Sequence, residues 1–200
     1  MTQIIAATAI LLCLAACSSE PAAGPDAAPG AANDSAPPAA TAPAPATPPP
    51  VRADAPAANV LTLEGLGALR IGQKVPAGSR WAERGAQISE TCRTISSPDL
   101  PGVYAIVEDG KVRRISVGQG SDVKLIEGIG VGATETEVRA AFPGFREEPH
   151  EYSEPPAKYL TAPNAPSGDP ALRFEIGADG RVSLIHIGTM PVLGYVEGCA

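Results

Sequence analysis

Aromatic side chains are nearly missing from this chain. Three Phe, four Tyr and one Trp make up 4% of its 200 residues, too few for the stacked platforms on which proteins hold sugars or unpaired bases. Positive charge is short as well: 15 Lys and Arg stand against 22 Asp and Glu, for a net charge of −7. Nucleic acid is excluded as a partner on that balance, because binding it requires neutralising its phosphates. There is no Gly-x-Ser-x-Gly elbow, phosphate loop, zinc-ligand pair or dinucleotide fingerprint, and no redox Cys-x-x-Cys. A chain without catalysis, cofactor or metal site is expected. Nor is there a long apolar run at the start, since Ile4 to Ala16 falls short of the roughly 20 residues that span a bilayer as a helix.

That short run reads as a secretory signal over residues 1–16. It ends in Leu14-Ala15-Ala16-Cys17, which resembles the lipobox of bacterial lipoproteins. The resemblance implies cleavage before Cys17 and lipidation of that cysteine with a diacylglyceryl group and often a third acyl chain. More than one chain is what stable anchoring needs. Ser18 and Ser19 follow, with no Asp beside Cys17 of the kind that resembles an inner-membrane retention signal. The anchor is therefore expected in the outer membrane, facing the periplasm, with the bilayer as first partner through acylated Cys17.

Residues 17–59 form a linker of Ala and Pro with scattered small polar residues. Such a segment buries too little apolar surface to offset the entropy of ordering, and disorder is expected. Its reach lies between about 35 Å as a flexible coil and about 130 Å as stiff polyproline II.

Residues 60–200 carry a folded pattern, and they carry it twice, over units of about 60–125 and 126–200. Gly128-Ile129-Gly130-Val131-Gly132 leads into Thr134 and Glu137, a capping box, with Val138, Ala141 and Phe142 at helical spacing and Pro143-Gly144 as the stop. Leu69, Ile71 and Gly72 line up with Ile129, Val131 and Gly132, although Pro76 and Gly78 make the first helix the poorer one. Asp109-Gly110-Lys111-Val112 recurs as Asp179-Gly180-Arg181-Val182, seventy residues on. Each Asp-Gly follows an apolar strand, Gly102 to Val107 or Ala171 to Ile176, and so reads as a hairpin. Weaker strands precede them at Thr91 to Ile95 and Lys158 to Thr161. The expected fold class is α+β: two tandem units of helix plus antiparallel sheet sharing one core, with Ile115 and Val117 in one half, Ile185 and Ile187 in the other, and Val138 and Phe142 above the second.

The segment VGATETEVRAAFPG resembles the helix-start motif of the SmpA/OmlA (BamE-like) outer-membrane lipoproteins through Val131, Gly132, Thr134, Glu137 and Val138. The tandem organisation is similar to that of the β-lactamase-inhibitory protein. These resemblances imply a helical layer on an antiparallel sheet, no catalytic machinery, and a role in holding other proteins.

With Cys13 removed and Cys17 lipidated, Cys92 and Cys199 remain, and an oxidising periplasm favours their pairing as a disulfide. The stretch 146–154 gathers Glu147, Glu148, His150, Glu151 and Glu154; nothing fixes metal geometry there, and it reads as a solvated acidic loop. His186, between Ile185 and Ile187, reads as an outward-facing sheet residue. The function expected is a lipid-anchored, non-catalytic adaptor for an envelope protein. Two alternatives stand beside it: an envelope or cell-wall hydrolase using Glu147, Glu148 or His150 as acid or base, and a small-ligand carrier with an apolar pocket of several hundred Å3 between helix and sheet.

Overall fold

The computed structural model describes residues 57–87 and 89–199. The signal, Cys17 and nearly all of the linker lie outside the described residues. Twelve strands follow in order: β1 (Val60–Thr62), β2 (Gly65–Leu66), β3 (Leu69–Arg70), β4 (Ala82–Glu83), β5 (Cys92–Ser96), β6 (Val103–Glu108), β7 (Lys111–Val117), β8 (Lys124–Leu125), β9 (Arg146–Pro149), β10 (Lys158–Thr161), β11 (Ala171–Ile176) and β12 (Val182–Gly188). Helix α1 (Glu135–Ala141) falls between β8 and β9.

Eight strands form one antiparallel sheet in the order β4-β5-β6-β7-β12-β11-β10-β9. The four long central strands are rich in β-branched residues, and their alternation sends Ala105, Ile115, Val117, Phe174, Ile185 and Ile187 into a core where each is fully buried. A small sheet, β3-β2-β1-β8, joins the same core through Leu61, Leu66, Leu69 and Leu125. Helix α1 joins it through Val138, its one buried residue. Past the helix, the Phe142, Phe145 and Phe174 rings lie 5.4 to 5.9 Å apart, centre to centre.

The large sheet repeats itself about its middle. Strands β4 to β7 run outward on one side and β9 to β12 on the other, and β7 pairs with β12 so that Ser116 faces His186. Ile115 then faces Ile187, and Val117 faces Ile185. Residues seventy apart thus exchange places across an approximate twofold axis through the Ser116–His186 pair. The segments before the strands repeat as well. Gly72 N–H donates to Val112 O at 2.7 Å while Val112 N–H donates to Gln73 O at 2.8 Å. In the second half Gly132 donates to Val182 O at 2.9 Å and Val182 to Ala133 O at 2.8 Å.

The expected α+β class, with a helix in each unit, is not what forms. The described residues are mostly β, in two sheets, and α1 is the one α-helix among them. Where the first helix was expected, Pro76 has no N–H to give and Gly78 sits at φ 70°, so residues 73–81 pass without one. In α1 the capping box holds: Glu137 N–H donates to Thr134 Oγ1 at 3.3 Å and Thr134 N–H to Glu137 Oε2 at 2.7 Å. Even there only seven residues are helical, because Pro143-Gly144 follows at once. The hairpin turns also differ. Asp109 and Gly110, at φ 51° and 72°, make a two-residue turn between Glu108 and Lys111. Asp179-Gly180 belongs to a wider loop in which Gly177 N–H reaches Arg181 O at 2.8 Å. Among the described residues no helix is long and apolar enough to cross a membrane.

Candidate functional site

The residues offered as acid and base do not meet across a cleft. Residues 146–149 form edge strand β9 rather than a loop, because they pair with β10 from Arg146↔Thr161 to Pro149↔Lys158. Alternation along β9 then sends Glu147 and Glu148 to opposite faces. Glu147 meets Arg139 at 2.6 Å and Lys158 at 3.3 Å. Glu148 accepts from the Thr161 hydroxyl at 2.9 Å and lies 3.4 Å from Arg173. His150 stacks on Tyr159 at 4.8 Å; its Nε2 meets Glu175 at 2.8 Å, and its Nδ1 accepts the Tyr152 and Ser153 N–H groups at 3.1 Å. Each group is engaged by the fold. Among the described residues no cluster of three or more His, Cys, Asp or Glu could hold a metal ion.

His186 faces the sheet's second side, as alternation requires, but that side is covered and the residue is 5% exposed. The cover is the C-terminal segment. Arg114 donates to the carbonyls of Val192 and Tyr195, and Arg173 to that of Gly194 at 3.0 Å. Val192 and Tyr195 pack with Cys92 and Ile106, and Cys199 is bonded to Cys92. Beneath lies a chain of polar contacts: the Ser116 hydroxyl is 2.8 Å from His186 Nδ1, His186 Nε2 is 3.7 Å from Glu175, and Glu175 bonds His150.

Burial, aided by the positive charges of Arg114 and Arg173, pushes the His186 imidazole down to about 4 against the attraction of Glu175. It is neutral at neutral pH, and the Glu175 carboxylate beside Nε2 favours the tautomer with its hydrogen there, which leaves Nδ1 to accept from Ser116. Burial opposes ionisation of Glu175 too, but the imidazoles of His186 and His150 outweigh it and hold its carboxyl below the ordinary range. Serine, histidine and glutamate in a row have the residue types of a hydrolytic triad. Ser116 has no exposed surface, so no substrate reaches its hydroxyl, and this row is a structural layer.

Accessible apolar surface gathers elsewhere, in a groove of about 550 Å3. Parallel pairing of β1 with β8 sets Leu61 beside Leu125, so residues 61–64 and 125–127 contribute neighbouring stretches of lining. The end of α1 adds Ala141, Phe142, Pro143 and Phe145, and Ala162, Pro163, Asn164 and Leu172 complete it. Leu61, Leu125 and Leu172 are buried, the two Phe are half-buried, and Leu63 and Ile126 stand 42% and 73% exposed. The ionisable groups in the lining are Glu64 and Glu127. Hydrogen bonds from Thr62 and from its own backbone hold the Glu64 carboxyl below the usual range.

Sequence reading did not find this groove, which four separate segments build. The available signal was misplaced hydrophobicity: Leu63 in the turn after β1 and Ile126 just past β8, where polar residues are the rule. Comparison with protein-family models, with curated proteins and with solved structures finds no match.

Proposed function

We propose that this protein is a non-catalytic binding module of the bacterial envelope, anchored in the outer membrane through lipidated Cys17, whose groove takes the apolar part of a ligand. The groove carries this reading. Its volume lies in the range of small-molecule sites, about 300 to 1,000 Å3, and its lining is mostly apolar with a few polar groups. The occupied partners of Glu147, Glu148 and His150 and the inaccessible Ser116 weigh against the hydrolase alternative.

The neutral fluorophore N-phenyl-1-naphthylamine tests the groove. It should brighten on binding, and Ala141→Trp, which puts an indole where an exposed alanine lines the groove, should suppress that signal. No brightening, or equal brightening in the variant, refutes the reading. Anchoring is tested by Cys17→Ala, which should end fatty-acid labelling and release the chain from membranes.

A protein-adaptor reading has its own support. Ile126 and Leu63 continue the apolar surface out to solvent, as a docking face would, and the likeness of VGATETEVRAAFPG to the SmpA/OmlA motif favours a role in holding another protein.

A further inference from the structure

We propose that the groove selects a cationic amphiphile, a single aliphatic chain ending in an amine, with the chain among the phenylalanines and the ammonium group between Glu64 and Glu127. This rests on the reading of the groove as an apolar ligand site and adds the charge of the ligand. Charge complementarity is the warrant. Glu64 and Glu127 close the two stretches of lining that β1 and β8 set side by side. Both are exposed, so they stand where a groove filled from within by an apolar chain would leave its head group.

Neither carboxylate takes part in an ion pair among the described residues. No Lys or Arg is part of the lining. Arg139 and Lys158 are engaged with Glu135 and Glu147, and Arg146 with the Pro163 carbonyl, while Lys124, exposed beside Leu125 on β8, lies outside the lining. Arg70 acts on Glu64 from outside the lining. Two like charges at the mouth of an apolar groove attract a cationic head and repel an anionic one, so the same chain binds unequally according to its head. A fatty acid would bring a third carboxylate to two, and a neutral chain would bring no charge to offset them.

Displacement of N-phenyl-1-naphthylamine from the full chain beginning at residue 17, carrying Cys17→Ser so that no detergent is needed, separates the outcomes. Dodecylamine, dodecanol and dodecanoate are the competitors, each below its micellar concentration at neutral pH. Dodecylamine should displace the dye at a concentration about tenfold below that of dodecanoate, with dodecanol between them. Raising sodium chloride to about 0.5 M should narrow the gap, since exposed charges are then screened within a few Å.

Glu64→Gln combined with Glu127→Gln should abolish the order, while the paired Asp substitutions, which keep the charge and control for misfolding, should retain it. Equal or better displacement by dodecanoate, or an unchanged order in the Gln variant, overturns the proposal while the groove remains a ligand site. Failure of the dye and of all three competitors to bind overturns the underlying reading instead. Binding of a lysine-flanked leucine peptide without binding of dodecylamine overturns the proposal in favour of a protein occupant.

Discussion

Lowering the pH from about 7.5 to about 4.5 should cost the fold roughly 2 to 3 kcal/mol through His186 alone. In the unfolded chain its imidazole returns to the ordinary value of 6.5, whereas in the fold, sealed under the C-terminal segment, it sits at about 4. Between those values the unfolded chain holds a proton that the folded chain does not, so stability rises with pH there. The contribution is complete above 6.5, falls away as the pH drops toward 4, and changes no further below that. The full gap is worth about 3 kcal/mol at about 1.36 per unit, and the stated window covers most of it. Glu175, held low in the fold, loses its contribution only at still lower pH.

Urea unfolding followed by the fluorescence of the half-buried Trp81 reads the effect. With a slope of about 1 to 3 kcal/mol per molar, the midpoint should fall by about 1 to 3 M across the window. His186→Gln removes the titrating group, so its midpoint should fall by that much less, and the difference between the two chains cancels every other titration they share. An unchanged pH slope in His186→Gln, or an imidazole seen by NMR to titrate near 6.5, would refute the reasoning.

Ile115→Ala and Ile185→Ala each empty a fully buried site at the middle of the large sheet and should cost about 2 to 5 kcal/mol apiece; calorimetry should show one cooperative transition, and two would mean that the halves fold separately. Gly188→Ala should cost about 1 to 3 kcal/mol, because its Cβ would lie 2.3 Å from the Arg113 carbonyl oxygen across the β7–β12 seam; a thermal melt that does not move would disprove that contact. Replacing Cys92 and Cys199 with Ser should cost about 2 to 5 kcal/mol and speed hydrogen exchange in residues 190–199 before the rest of the sheet; uniform exchange would show that the tail holds without its bond.

The long strands were legible because their alternation is clean: Lys158–Thr161 and Ala171–Ile176 are β10 and β11, and the hairpin strands around Asp109-Gly110 are β6 and β7. The Thr134–Glu137 capping box was legible for the same local reason. The helix expected in the first unit does not form, because matching apolar positions cannot replace the donor Pro76 lacks. The small sheet escaped notice since strands of two or three residues are too short to show a period. Cys92 and Cys199 were paired by elimination, and the structure joins them with Cα atoms 5.6 Å apart. His186 was placed on the correct strand and face but in the wrong environment: a polar residue alternating with isoleucines signals solvent unless something covers it, and here residues 190–199 do. The groove was hidden by the same limit, being a juxtaposition of segments no local pattern connects.

A residue on a twofold axis looks at its own copy. Two identical chains pairing along this strand would place like upon like at the centre of the sheet: two hydroxyls, or two imidazoles sealed from water that share a hydrogen only by taking different tautomers and so breaking the symmetry. Written in tandem in one polypeptide, the two positions are free to differ, and they do, as Ser116 and His186. One gives a hydrogen and the other takes it. Covalent linkage of the halves thus does more than hold them together. It lets the seam carry a complementary polar pair where a symmetric dimer would have only a self-match, and it makes the centre of an otherwise repetitive sheet the place where its halves cannot be exchanged.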